Sequence, residues 1–321
     1  MLTYSVERKK AEFQRPSKHF VFDYEGKMYV QINRRLKTCV TPNHKMLVAW
    51  DCNHDELIRP KLIEALLIEG KPMAYLVAAP LAETHEVEWF SLPEIKPEKN
   101  KHHFPAKQIK MDAWLRFLGW YLAEGHCYRS QKTGNCTVTL TSYYRKPEAV
   151  EVMRDVGLSP VVDQHHITAT SVQMHDYVRG FGKSHDKFIP DCIKSLSARQ
   201  LKILLKAMLD GDGCKHSKNG WKYTTVSKQL ADDVQEITIR CGMAASVRQD
   251  KEGFYRVNIN TTCTTQCNLD RNNSKWMDYK GKVYCVEVPN SIVMVRQNGH
   301  AYFSGNSKGA ADQYVRDYAR I

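Results

Sequence analysis

Two stretches of this chain repeat one pattern of residues, and this repeat constrains the fold more than any other feature. FLGWYLAEG (117–125) and LLKAMLDGDG (204–213) both contain an apolar run, an acidic residue and a closing glycine. Small residues recur four positions apart in each copy, as Gly119 and Ala123 and as Ala207 and Gly211. Because residues i and i+4 share one face of a helix, the pattern predicts two helices that pack closely through a small-residue strip.

Each of these helices ends in an acid, Glu124 in the first copy and Asp212 in the second. A carboxylate at a helix C-terminus opposes the helix dipole, and two neighbouring carboxylates repel each other. A fold that tolerates both costs is expected to hold a cation, and oxygen ligands favour Mg²⁺. A metal between carboxylates and phosphates is the usual arrangement for phosphodiester hydrolysis. The alternative is a pair of amphipathic core helices with exposed terminal acids.

The repeat extends beyond these two phrases. A strand and then a second helix follow each copy, and the pair Ser142 and Ser227 has the same spacing as the pair Gly157 and Gly242. The pattern predicts an α-β-α unit that is present twice between about 111 and 265.

The segments on either side of the repeat alternate apolar and polar residues, which is typical of strands. These segments are residues 1–60 and 282–305, whereas 94–110 is polar, basic and rich in proline and is interpreted as a linker. The fold class is therefore α+β, with an all-β part interrupted by an α/β insert.

Charge and composition narrow the function classes. The formal net charge of +12 favours a polyanionic partner, above all nucleic acid, over a merely basic surface. The longest apolar stretch, AYLVAAPLA (74–82), is too short for a membrane span and no signal peptide follows Met1, so we expect a cytoplasmic protein without a membrane partner. The ten cysteines form no Cys-x-x-Cys pair, so reduced thiols are expected, and Cys263 with Cys267 is a weak metal candidate.

With these motifs, residues 111–270 resemble the LAGLIDADG (dodecapeptide) homing endonucleases, as two repeats at about 111–195 and 196–270. The resemblance implies that the two helices form the interface of a monomeric pseudo-dimer. It also implies that sheets on either side form a saddle that reads double-stranded DNA in the major groove. Glu124 and Asp212 would bind Mg²⁺ and direct water at the two scissile phosphates. Two unlike halves imply a long, asymmetric DNA site.

Two lysines are candidates for assisting the reaction. The resemblance places Lys222 at a position where the family often has a basic residue near the attacking water, and the interval of the repeat matches it to Thr137. Lys187 matches another basic position of intein endonucleases. Each could equally be an ordinary exposed lysine.

The flanking segments CVTPNHKMLV (39–48) and KVYCVEVPNSIVMVRQNGHAYFSGNS (282–307) resemble the Hint-type splicing domain of inteins. The resemblance implies that His44, in the pattern with Thr41, polarises the N-terminal scissile peptide. Asn306 would cyclise to a succinimide, because a five-membered ring brings the reacting atoms together. Ser307 would be the acceptor nucleophile, activated by its surroundings.

The chain departs from the intein pattern in three ways. The N-terminal splice junction is missing, so we expect either the C-terminal partner of a split intein, which needs an N-terminal fragment in trans, or a truncated start. Gly305 replaces the usual penultimate histidine, and Cys285 stands where aspartate is common. The expected domains are listed here in chain order: splicing domain 1–100, basic linker 101–110, endonuclease 111–270, splicing domain 271–306 and host-protein remnant 307–321.

Other functions remain compatible with these residues. They are a LAGLIDADG protein that binds DNA without cleaving it, an intein fragment that only splices, and an RNA maturase of related fold. The two acids argue against the first of these, and the intein-like flanks argue against the last.

Overall fold

The computed structural model describes residues 1–82, 85–96, 103–267 and 274–305. The chain forms two compact units. Unit one comprises Met1–Glu83, Thr238–Arg248 and Ile259–Ile321, and unit two comprises Thr84–Ile237 and Gln249–Asn258.

The helices and strands follow one another in chain order. Up to residue 110 they are β1 (Leu2–Ser5), β2 (Lys10–Phe13), β3 (Lys18–Ile32), β4 (Lys37–Val40), β5 (Lys45–Ala49), β6 (Asp51–Cys52), β7 (Leu57–Ile58), β8 (Lys61–Glu64), α1 (Ala65–Ile68), β9 (Met73–Leu76), β10 (Trp89–Leu92) and β11 (Lys107–Lys110). The next are α2 (Met111–Glu124), β12 (Gly125–Arg129), β13 (Cys136–Thr141), α3 (Lys146–Asp155), β14 (Val161–Asp163), β15 (His166–Thr170), α4 (Val172–Val178), a 3₁₀ turn (Arg179–Phe181) and α5 (Asp191–Lys194). The last are α6 (Ala198–Asp212), β16 (Gly213–Ser217), β17 (Gly220–Thr225), α7 (Lys228–Arg240), β18 (Ala244–Gln249), β19 (Tyr255–Asn260), β20 (Thr264–Cys267), β21 (Ser274–Glu287), β22 (Ile292–Gln297) and β23 (His300–Gly305).

Unit one is built almost entirely from strands, which confirms the β interpretation of residues 1–60 and 282–305. Strands that are far apart in sequence pair within it: β3 lies antiparallel to β21 along its length, from Lys18↔Glu287 to Gln31↔Ser274. In the same way β1 pairs with β22, and β9 pairs with β20. The buried core between these strands contains large side chains such as Tyr75 and Phe303.

The predicted repeat is present. In the first copy α2 is followed by a sheet with strand order β12-β13-β15-β14, and α3 lies between β13 and β14 in sequence. In the second copy α6 is followed by the same order, β16-β17-β19-β18, with α7 in the place of α3.

The matched glycines of the two copies perform the same local task. Gly157 and Gly242 follow α3 and α7 with φ of +73° and +76°. The next amide in each copy reaches back to a helix carbonyl, from Leu158 to Met153 at 3.0 Å and from Met243 to Thr238 at 3.1 Å. This is the Schellman arrangement, in which a left-handed glycine ends a helix at low conformational cost.

The prediction of a linker over 94–110 is wrong at its C-terminal end. Lys107–Lys110 forms the strand β11, which lies antiparallel to β10. Leu92 and Ile109 from this pair are both buried, so their burial outweighs the polar composition of the segment. The boundaries also differ from those expected: unit two begins at Thr84, and residues 238–248 belong to unit one. Across the described ranges, no helix has the length and apolar character needed to span a membrane.

Candidate functional site

The two motif helices, α2 and α6, pack through their small residues as the sequence predicts. A Cβ atom added to Gly119 would lie 2.5 Å from the Cβ of Ala207 and 2.8 Å from the carbonyl oxygen of Leu204. A Cβ atom added to Gly211 would lie 2.6 Å from the Cβ of Ala123. These separations are well below van der Waals contact between carbon atoms, so each helix needs its glycine opposite the partner's alanine.

This close packing brings the two predicted acids together. Glu124 is the last residue of α2 and Asp212 is the last residue of α6, and their carboxyl groups lie close enough to shift each other's pKa. Two carboxylates at such close range repel each other, which favours the protonated form of one of them. Loss of hydration is the largest cause that raises the pKa of both groups, and the charge of Glu124 further raises the pKa of Asp212, to about 7. Asp212 nevertheless keeps an exposed surface, so solvent reaches the pair from that side.

Lys187 lies beside this pair, but its ammonium group is engaged by the backbone. Its Nζ donates to the carbonyl oxygens of Tyr121 at 2.8 Å, Leu122 at 3.0 Å and Gly125 at 2.8 Å. Three N–H groups therefore satisfy carbonyls at the C-terminal end of α2, and a cation there also favours the helix dipole. Burial lowers the pKa of Lys187 to about 8, against the opposing charges of Asp212 and Glu124. A catalytic role for Lys187 stays a prediction, and the geometry gives it a structural task.

The strand register gives Lys222 a different counterpart in the first copy from Thr137, the residue that the sequence interval predicted. In the second copy Gly213 pairs with Tyr223 and Cys214 pairs with Lys222. In the first copy Gly125 pairs with Leu140 and His126 pairs with Thr139. Thr139, and not Thr137, is therefore the counterpart of Lys222. The constant interval failed because the two hairpins differ in length and the second has a register shift between Lys215 and Ser217.

Sequence reasoning missed Tyr223. Its side chain is fully buried, and its hydroxyl has no hydrogen-bond partner among the described residues. Burial raises the pKa of Tyr223, and the charges of Asp212 and Glu124 add to this effect, so the phenol lies close enough to sense both acids. The glycine after each motif acid is the first residue of a strand. Pairing Gly213 with the opposite strand of its hairpin would therefore have identified Tyr223.

Thr41 and His44, two of the candidate splicing residues, line a cavity of about 420 Å³ in unit one, and Cys39 and Cys285 also line it. The Nε2 atom of His44 is 2.9 Å from the Oγ of Ser304. Loss of hydration lowers the pKa of His44 to about 4, so its ring is neutral near pH 7. Thr41 donates to the Oδ1 of Asn43 at 2.8 Å, which orders the turn before His44.

Gly305, at the end of β23, lies where a larger side chain has no room. A Cβ atom there would lie 2.3 Å from the carbonyl oxygen of Lys45 and 2.7 Å from the Cδ2 of Leu62. A histidine does not fit at this position. Asn306 and Ser307, the next two residues and the predicted splicing nucleophiles, lie outside the described residues.

Cys263 and Cys267, the weak metal candidate predicted from the sequence, each form a hydrogen bond with another group. The thiol of Cys263 donates to the carbonyl oxygen of Gly242 at 2.8 Å, and the sulfur of Cys267 accepts from the side-chain amide of Asn33 at 2.8 Å. Both cysteines are buried. These contacts agree with ordinary reduced thiols.

Residues 200–277 match the family model of a LAGLIDADG-like domain. This match covers α6 from Gln200 to its acid, Asp212, and the strands and helix that follow it. The sequence resemblance stated for the second repeat is thereby confirmed for this part of the chain.

Several known proteins resemble longer stretches of the chain. It is 30% identical over 255 residues to an ATP-dependent Clp protease proteolytic subunit of Chlamydomonas moewusii, covering 74% of this chain and 25% of that protein. It is 25% identical over 363 aligned positions to a DNA-directed RNA polymerase subunit beta C-terminal section of Stigeoclonium helveticum, covering 93% and 33%. It is 31% identical over 94 residues to the replicative DNA helicase DnaB of a Synechocystis strain, covering 27% and 11%. The chain thus spans a third or less of these relatives.

Solved structures of homing endonucleases show a weaker likeness. The structure of I-DmoI with DNA and Mn is 15% identical, with a TM-score of 0.37 over 47% of this chain and 90% of that chain. I-WcaI bound to its DNA recognition sequence is 12% identical, with a TM-score of 0.36 over 48% and 77%.

Proposed function

We propose that unit two is a site-specific endonuclease that cuts both strands of a DNA duplex. The observation that carries the proposal is the pairing of Glu124 and Asp212 at the ends of two helices locked together through small residues. Such rigid packing fixes the distance between the two carboxyl groups, which a two-strand cut at a defined spacing requires. The match of residues 200–277 to a LAGLIDADG-like domain supports the same activity.

The donor set at this site fits a hard divalent cation such as Mg²⁺. Burial and mutual repulsion raise the pKa of the two carboxyl groups when no cation is present, and both would become ligands when one is bound. The unpartnered hydroxyl of Tyr223 adds a further oxygen nearby. When bound, the cation would polarise a scissile phosphate and lower the pKa of its water.

The residues around the acids have separate roles in this proposal. Glu124 and Asp212 would hold the cation and orient the water, one acid toward each strand. Lys187 fixes the end of α2 and therefore the position of Glu124. Lys222, on β17, supplies positive charge on the Asp212 side only, because its counterpart Thr139 is neutral. The two half-sites are therefore unequal, and the net charge of +12 makes DNA binding depend on salt concentration.

The endonuclease proposal is tested by selection on a randomised duplex library, with Mg²⁺ and with EDTA. Cutting at one long, asymmetric site only with Mg²⁺ is expected. Glu124→Gln and Asp212→Asn should each abolish double-strand cutting and leave DNA binding largely intact. Asp210→Asn is the matched control, because Asp210 lies on the same helix but pairs with Arg145 and Lys206. Cutting that survives both acid variants would overturn the site assignment. Selective binding without cutting by the unmodified chain would favour a DNA-binding protein.

We also propose that unit one is an intein splicing domain into which unit two is inserted. Segments on both sides of unit two pair with each other along β3 and β21, and Thr238–Arg248 belongs to the same compact unit as these flanks. The relatives support this view, because the shared segment occupies only part of proteins named for unrelated activities, proteolysis, transcription and DNA unwinding. An inserted element would produce this pattern.

The splicing chemistry would use Thr41 and His44, which line the 420 Å³ cavity, together with Asn306 and Ser307. The neutral imidazole of His44 is poised to hydrogen-bond a peptide at the N-terminal junction, with Thr41 ordering its turn. Asn306 would cyclise with cleavage of the bond before Ser307, and the Ser307 hydroxyl would accept the upstream segment. An N-terminal intein fragment supplied in trans would provide the missing junction.

Mass spectrometry of the chain mixed with matching N-terminal fragments tests this second proposal. We expect slow loss of residues 307–321, and no loss in Asn306→Ala. A mass that still contains residues 307–321 after mixing would contradict splicing in trans. Loss of that segment combined with absence of DNA cutting would identify a splicing-only fragment.

A further inference from the structure

A second group of metal-ligating side chains lies in unit two, apart from the two acids. It consists of Cys136, His175 and Asp176, whose donor atoms all lie within 4.8 Å of one another. Cys136 and His175 are buried to 1% and 2% exposure, whereas 35% of the Asp176 side chain is exposed. A thiol, an imidazole and a carboxylate thus meet at the edge of the core, with one side open to water.

The fold holds these three residues together from distant parts of the sequence. Cys136 is the first residue of β13, and its carbonyl oxygen accepts from the amide of Ser171 at 3.0 Å. The Ser171 side chain accepts from the amide of Met174 and so caps the N-terminus of α4. The start of β13 is therefore tied to the first turn of the helix that carries His175 and Asp176.

We propose that Cys136, His175 and Asp176 bind a zinc-type divalent cation, with water as the fourth ligand on the exposed side of Asp176. Zinc takes thiolate, imidazole and carboxylate ligands at roughly 2.0–2.3 Å in tetrahedral geometry, which separates donor atoms by about 3.3–3.8 Å. A group already within 4.8 Å needs only small side-chain rotations to reach this geometry. The Nδ1 of His175 and the Oδ1 of Asp176 are 2.9 Å apart, and the cation takes the place of the proton between them. Binding also releases the thiol proton of Cys136.

This site is separate from the proposed catalytic site in position and in chemistry. Gly125, next to Glu124, pairs with Leu140, whereas Cys136 pairs with Arg129 at the opposite end of the same hairpin. Four residues of strand correspond to about 13 Å. A thiolate and an imidazole select zinc, cobalt or copper over Mg²⁺, which prefers oxygen ligands. The inference therefore stands independently of DNA cleavage.

Cobalt binding to the full chain tests the proposal without DNA. Protein stripped with a chelator is titrated with Co²⁺, and we expect one equivalent to produce a thiolate-to-cobalt charge-transfer band with the strong visible bands of tetrahedral cobalt. Zn²⁺ should displace the cobalt, stay bound through buffer exchange at one equivalent and raise the thermal unfolding midpoint.

Three variants assign the ligands. Cys136→Ser should abolish the charge-transfer band, and Asp176→Asn should weaken Co²⁺ affinity at least tenfold. Asp176 is partly exposed and asparagine can keep the contact with His175, so this variant tests the site even if Cys136→Ser fails to fold. Cys192→Ser, which changes an exposed thiol outside the group, should bind Co²⁺ as the unmodified chain does.

Two results would overturn the inference. One is a chain that shows no thiolate band and retains no zinc after buffer exchange. The other is an Asp176→Asn variant with unchanged affinity and unchanged zinc stoichiometry, which would place any bound metal on other cysteines.

Discussion

Exchanging one methyl group between the two motif helices gives a sharp test of how they pack. In Gly211→Ala the new Cβ would lie 2.6 Å from the Cβ of Ala123 and 3.4 Å from the Cγ of Glu124. Carbon atoms in contact lie about 3.5–4.0 Å apart, so α2 and α6 must separate locally by about 1 Å. Overpacking of this kind costs about 1–3 kcal/mol, and the better helix propensity of alanine returns up to about 1 kcal/mol. We therefore expect a net loss of up to about 2 kcal/mol in the free energy of unfolding.

The double variant Gly211→Ala with Ala123→Gly should recover most of this loss. Ala123→Gly alone is expected to cost about 1 kcal/mol through helix propensity. Together the two changes move one methyl group across the interface and leave its volume unchanged. The double variant should therefore lie near the unmodified chain, with a favourable coupling energy of about 1–3 kcal/mol.

The other end of the strip supplies the contrast. In Gly119→Ala the new Cβ would meet the Cβ of Ala207 and also the backbone, with the carbonyl oxygen of Leu204 at 2.8 Å and the amide nitrogen of Met208 at 3.0 Å. Ala207→Gly removes only the first of these contacts. Rescue should therefore be incomplete at Gly119.

Urea unfolding followed by tryptophan fluorescence measures these effects, because Trp114 and Trp120 lie within α2 itself. Gly180→Ala is the control, since nothing lies within 4 Å of a Cβ added there. If the Gly211 and Ala123 changes simply add, the helices do not meet at this point and the close-packing argument is wrong. Equal rescue at both ends would show that the backbone contacts at Gly119 do not limit the approach.

Three further predictions concern charge. Burial and the charge of Glu124 raise the pKa of Asp212 to about 7, whereas an unfolded aspartate has a pKa of about 3.9. Between these two pH values the metal-free folded state binds one proton at Asp212 that the unfolded state does not bind. Metal-free stability should therefore fall as pH rises through this window, and Asp212→Asn should flatten the dependence of the urea midpoint on pH; an unchanged slope would refute the shift. Lys187→Met removes the donor of three carbonyls at the end of α2 and should cost about 2–5 kcal/mol in unfolding free energy, whereas a loss below about 0.5 kcal/mol would contradict the helix-end role. Lys222→Met should leave stability within about 0.5 kcal/mol and reduce the slope of log binding constant against log salt by about 1, and an unchanged slope would remove Lys222 from the DNA contacts.

The sequence alone determined the features that depend on local pattern. The helical period, the small residues four apart and the terminal acids identified α2 and α6, because helix geometry fixes which residues share a face. The glycines after α3 and α7 were visible for the same reason, since only glycine takes the left-handed conformation at low cost. The alternation of residues 1–60 and 282–305 was enough to assign strands.

Tertiary structure decided everything that depends on which distant segments meet. Lys187 was visible only as a basic residue, and its contact with the carbonyls of α2 requires a loop more than 60 residues away to fold back on the helix end. The match of Lys222 to Thr139 depends on hairpin register, which a constant interval does not encode. The meeting of Cys136 with His175 and Asp176 depends on how β13 packs beside α4. Local preferences specify helices and strands, but long-range burial and pairing select the side chains that share a site.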